Sequence, residues 1–242
     1  MRFLGAALAA RVACQSAQAW EPAGTAIPAT DRVWHGSDYA SVYKELASRP
    51  DSLPESTDGR GAALLQRITA LENLEQYRDK RIPIEGRFGG YVELQKETAS
   101  ITLLYYAASL KKTQDLKAEL ASLFAFSLHV SAVGVELVDE VIPTFKKDDK
   151  YETRLAGVQK MYSGLTTQFV GSEALLTESN GFSMSERSVV LEAMAKTLPT
   201  VKNAFSPAYR VELRDRLKSD RSFFSSADDL QRIDMMISEL GT

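Results

Sequence analysis

The sequence predicts an all-α protein, an irregular bundle of about eight antiparallel helices around a central apolar helix at residues 115–141. Three observations predict it. Apolar residues return at spacings of three and four about eight times along the chain, the period of a helix with one buried face. No segment alternates apolar and polar residues over more than four positions, which argues against strands. Residues 120–135 run for sixteen positions without Asp, Glu, Lys or Arg, and a helix apolar on all sides belongs inside a bundle or a membrane. That run is shorter than the roughly 20 residues that span a bilayer. Ser122, Ser127, His129 and Ser131 are scattered through it, so the centre of a bundle is expected.

The elements follow in order. Ser37 is placed to cap a helix over 38–48 that Arg49-Pro50 stops. Residues 50–59, with two prolines, read as a loop. Leu64, Ile68, Leu71 and Leu74 mark one helix over 60–78. Pro83, Gly86, Gly89 and Gly90 read as a hinge over 81–90, and a helix over 91–112 follows, with Leu94, Ile101, Leu104, Tyr105 and Ala108 on its stripe. Pro143 ends the central helix. Residues 146–150, Lys-Lys-Asp-Asp-Lys, form a charged turn and a possible joint between two halves. A helix over 151–178 stops at Asn180-Gly181. Ser183 and Glu186 form a capping box for the next, which Pro199 should kink or end. Ser206-Pro207 is an N-cap followed by proline at the first helical position, opening a helix over 207–218. Ser226 and Asp229 open the last, ended by Gly241.

The N-terminus reads as an address. Arg2, an apolar run from Phe3 to Ala10 and the small pair Ala17 and Ala19 make residues 1–19 a secretory signal peptide, although Arg11 interrupts the apolar stretch. The alternative is a lipoprotein signal ending at a lipidated Cys14, after Val12-Ala13. Both place the protein outside a bacterial cytoplasm, periplasmic or secreted in the first case and membrane-anchored in the second. Residues 20–37 read as an extended arm carrying Trp20 and Trp34, and residues 38–242 as one helical domain.

Composition narrows the chemistry. The 242 residues carry 29 Lys and Arg against 32 Asp and Glu, a net charge of -3, which speaks against nucleic acid. Loss of residues 1–19 removes Arg2 and Arg11, leaving 27 basic residues against 32 and a charge of -5. One cysteine leaves no material for a disulfide framework or a Cys-based metal cage. Motifs for a Ser nucleophile, a Walker loop or a dinucleotide fold are absent, and no cofactor is expected.

Four groups of residues remain as candidates. His129, Glu136, Asp139 and Glu140 fall on the central helix at spacings that gather carboxylates near its end, where a divalent cation or acid–base work is conceivable. The competing reading has His129 in the core and the acids marking where the helix meets water. Gly86 to Gly90, beside Arg87, is a loop that could hold an anion or simply bend. The basic run Arg210 to Arg221 is interleaved with acids and reads as a solvated helix laced with ion pairs. Trp34, Phe223 and Phe224 are aromatic candidates for a partner surface, or staples for the protein's own core.

The expected function is therefore binding without catalysis, in an exported helical protein whose partner is another protein. The type is similar to bacterial periplasmic proteins and lipoproteins, some of which are immunity proteins that neutralise toxins; the likeness is one of size, export signal and class. The alternatives are a binder of a small apolar or lipid ligand around Leu120 to Val135, and a metal-assisted enzyme built on the carboxylate cluster. A membrane enters only through an anchor at Cys14.

Overall fold

The computed structural model describes residues 20–21, 27–111, 114–177 and 181–241. The two export readings, including Cys14, fall on residues outside these. The described residues form an all-α bundle of eight helices of ten residues or more and one single-turn helix, with no strand among them.

Helix α1 (Gly36–Ala47) begins two residues earlier than expected. His35 is the N-cap instead of Ser37, and its backbone N–H donates to the Asp38 carboxylate at 2.8 Å. Asp38 also pairs with Arg32, so the last residues of the arm are tied to the helix they lead into. The arm as a whole is held against the fold where it is described. The Trp20 N–H donates to Asp58 at 2.7 Å, and the Arg49 guanidinium stands 5.9 Å from the centre of the Trp20 ring.

The single helix expected over 60–78 is two helices, α2 (Gly59–Ile68) and the single turn α3 (Glu72–Glu75). Residues far from it in sequence explain the break. The Tyr39 hydroxyl donates to the carbonyl of Ile68, and the Asn73 amide donates to that of Arg67, so the carbonyls at the end of α2 find partners without a further helical turn. Leu71, expected on the buried stripe, is consequently exposed.

Helix α4 (Ile84–Leu110) overturns the expected hinge. Gly86, Gly89 and Gly90 lie in its first two turns, and Pro83 is the N-cap. Arg87 ties this start to the fold: its Nε donates to Ile82 O at 3.0 Å, its Nη1 to Tyr77 O at 3.2 Å, and the guanidinium pairs with Glu140. Three tertiary bonds on one side chain outweigh a weak local propensity.

Helix α5 (Lys117–Val141) is the central apolar helix, burying fourteen residues from Glu119 to Val138. By length and composition it could cross a membrane, yet most of its apolar surface is covered by protein, chiefly by α4 and by α7 (Met184–Val201). A short 3₁₀ turn over Ile142–Thr144 contains Pro143 and ends it. Helix α6 (Tyr151–Ala174) follows. It buries Leu165 and Phe169 but leaves Leu155, Val158 and Tyr162 only half-buried, so its first half sits less deeply than its stripe predicts.

The remaining boundaries agree with local signals. Gly181 adopts φ +68° before α7, the left-handed region that suits glycine. Ser183 Oγ accepts from the Glu186 N–H, and the Glu186 carboxylate accepts from the Ser183 N–H at 2.6 Å, the reciprocal bonds of a capping box. Pro199 lies inside α7 near its end, where a 3₁₀ turn over Lys202–Ala204 takes over. Ser206 accepts from the Tyr209 N–H to open α8 (Pro207–Asp220), and α9 (Ala227–Gly241) packs on both α7 and α8. Buried side chains from α1 to α9 meet in one hydrophobic cluster.

Candidate functional site

The aromatic candidates are placed by the core. Trp34 has no exposed surface, and its indole N–H donates to Ala29 O at 2.9 Å. The buried Asn73 accepts from the Trp34 N–H and from Arg67 and donates to Tyr39, while Gln76 donates to the Trp34 carbonyl at 2.7 Å. This polar node explains why Trp34 staples the arm to its own fold rather than facing a partner. Phe224 is buried and Phe223 packs half-buried against the same cluster, so neither presents an open ring. Hydrophobic burial outweighs exposure for aromatic rings in short turns.

The acid–histidine group does not converge. Glu136 receives both Nε and Nη2 of Arg78, at 2.7 and 3.1 Å. Glu140 receives both Nη atoms of Arg87, whose hydrogen bond holds that carboxyl below the usual carboxylate range. Asp139 accepts from the Tyr162 hydroxyl at 3.4 Å. Two of the three carboxylates are thus committed to arginines, and among the described residues no three metal-ligating side chains gather. The same pairing removes the anion reading of the glycine segment, because Arg87 is occupied and the segment is helical. His129 faces a hollow of ≈ 280 Å³ beside Ser122, Glu192 and Lys196. Burial lowers its pKa, and Lys196 and Arg78 lower it further, so the imidazole stays neutral at physiological pH. Most of the basic run is ion-paired, Arg214 and Lys218 with Asp215, Arg216 with Glu173 and Glu212, and Arg221, just past α8, with Asp234, while the Nε of Arg210 is buried without a hydrogen-bond partner.

A larger open space lies elsewhere. Between the first half of α4, the end of α5 and the first half of α6 runs a cleft of ≈ 590 Å³. Phe88 and Val92 form one wall, Val138 and Val141 the floor, and Val158 and Met161 the other wall, with Phe145 at one end. Its volume falls in the usual small-molecule range of roughly 300–1,000 Å³. Two glycines are among its lining residues, and a Cβ built on Gly89 or Gly157 meets nothing within 4 Å. Glu85, Gln95 and Arg154 supply polar groups at its rim. Val158 is half-buried because it lines this open space.

The apolar run Leu120 to Val135 is mostly packed. Leu123, Leu128 and Val133 are fully buried and Phe126 nearly so, packed against neighbouring helices. One face of the run borders the smaller hollow at Ser122, Ala125 and His129, and the larger cleft begins one turn beyond the run. Sequence reading took Phe88 and Gly89 as part of a glycine loop and passed over Val92, Arg154, Gly157 and Met161. The signal for them was a glycine on each of two apolar helices.

No family model, curated protein or solved structure matches this chain.

Proposed function

We propose that the protein binds without catalysing, and that it holds a small apolar or lipid ligand in the cleft between α4, α5 and α6. The observation that carries this reading is the cleft itself, lined by Phe88, Val92, Val138, Val141, Val158 and Met161 with Gly89 and Gly157 among them. Open apolar surface of this kind costs about 25 cal/mol per Å² in water, so an apolar occupant is driven in. Residues 1–19 support an exported setting. The test is uptake of an uncharged apolar fluorophore, N-phenylnaphthylamine, by the full chain. Saturable enhancement that is lost in Gly157→Trp, a substitution that fills the cleft, supports the reading. The same signal from both proteins overturns it.

A second reading, binding of a partner protein with toxin neutralisation as its most concrete form, has a different support. On the outer face of α4, Ala99, Leu103, Tyr106 and Leu110 recur at spacings of four and three, and Leu103 and Leu110 are 65% and 64% exposed. Such a stripe fits the groove of another helix. Co-purification of a stoichiometric partner that Leu103→Glu abolishes supports it; capture that is insensitive to the substitution counts against it.

A further inference from the structure

Resting on the cleft reading, we propose that the occupant is a single-chain anionic amphiphile, its hydrocarbon chain in the cleft and its acidic head on Arg154. Three features of Arg154 carry this. It lines the cleft beside Phe145, and its guanidinium stands 5.4 Å from the centre of the Phe145 ring. Both of its hydrogen bonds leave from Nη2, to Lys146 O at 2.5 Å and Asp148 Oδ1 at 2.6 Å. Its Nε is buried without a hydrogen-bond partner. An orphaned donor on a cation beside apolar surface is the arrangement one oxygen of a carboxylate or phosphate head completes, through a charge-assisted hydrogen bond.

The competing charges at this end are weaker claims on the head. Asp148 is a half-exposed carboxylate on the turn over 146–150, and an exposed ion pair of this kind exchanges partners at small cost. Lys146, Lys147 and Lys150 lie on the same turn, and with Arg154 they stand against Asp148, Asp149 and Glu152, so residues 146–154 carry a net charge of +1. Glu85 is the acid among the lining residues, on the first turn of α4, where the helix N-terminus stabilises it in water without a partner. A cationic head would choose Glu85; an anionic one chooses Arg154. The buried, unsatisfied Nε decides for Arg154, since Glu85 is exposed and solvated.

The experiment displaces N-phenylnaphthylamine from the full chain at pH 8 with dodecanoate, dodecanol and dodecylamine, which share a chain and differ in the head. Dodecanoate is expected to displace at about tenfold lower concentration than dodecanol, the advantage of a charge-assisted hydrogen bond. Arg154→Met, which keeps the packing on Phe145, is expected to erase that advantage while leaving dodecanol unchanged, and Arg154→Lys to restore part of it. Equal displacement by acid and alcohol, or preference for the amine, overturns the head assignment and leaves the cleft reading standing. Absence of displacement by all three, with a probe signal indifferent to Gly157→Trp, overturns both.

Discussion

The Tyr91 hydroxyl on α4 lies against Gly134 on α5, so closely that a Cβ at residue 134 would stand 2.6 Å from Tyr91 Cζ. The hydroxyl is buried without a hydrogen-bond partner. Gly134→Ala should therefore destabilise by about 1–3 kcal/mol through overpacking. Tyr91→Phe alone should cost little, because it removes an unsatisfied buried group. The double variant should lose less than the sum, since the two positions share one contact. Urea unfolding of the four proteins checks all three statements.

Asn73 holds four parts of the chain with one amide: the backbone of Trp34, the guanidinium of Arg67, the Tyr39 hydroxyl and the end of α2. Asn73→Ala leaves buried donors without acceptors and should cost roughly 2–4 kcal/mol. Trp34 fluorescence should move to longer wavelength well before global unfolding, as the arm detaches. A Trp20→Phe background makes Trp34 the sole reporter.

Asp220 on α8 and Glu173 on α6 are both buried, and Arg216 lies between their charges. Burial, and then the negative charge of Glu173, push Asp220 up to about 6. A carboxyl raised in the folded state is protonated there more readily than in the unfolded chain. Its stabilising contribution is full below the ordinary value of 3.8 and is lost as pH rises through about 6. The protein should be more stable at pH 5 than at pH 8, and Asp220→Asn should flatten that slope, gaining roughly 1–2 kcal/mol at pH 8. Thermal melts across this range measure it.

The Arg87–Glu140 pair separates a structural acid from a metal ligand. Glu140→Gln should weaken the anchoring of the first turns of α4, leaving a buried guanidinium short of its counter-charge. Hydrogen exchange at residues 84–90 should rise in the variant. Added zinc or magnesium should leave the wild-type melting temperature unchanged, because Glu136 and Glu140 are bound to arginines.

Legibility in the sequence followed the range of the interaction. The Ser183–Glu186 box, the Ser206-Pro207 start and the positive φ of Gly181 are decided within four residues, and all three were readable. The break after Ile68 was not, because the partners of its carbonyls, Tyr39 and Asn73, come from outside the helix. The start of α4 was misread for a similar reason: proline and three glycines speak locally for a loop, while Arg87 reaches three partners elsewhere in the fold. Spacing along α5 gathered Glu136, Asp139 and Glu140, but spacing is silent about the arginines that claim two of them. The cleft was the least legible feature, since what defines it is side chains that two distant helices lack.

Gly89 and Gly157 set fold stability and ligand capacity against each other. A glycine inside a helix costs about 1 kcal/mol relative to alanine, and α6 carries Gly157, Gly164 and Gly171 at intervals of seven. Replacing either cleft glycine by alanine should firm its helix, since a Cβ there meets nothing, and at the same time shorten the longest chain the cleft admits. A graded series at these positions, Ala, Val, Leu, would act as a ruler for the natural occupant.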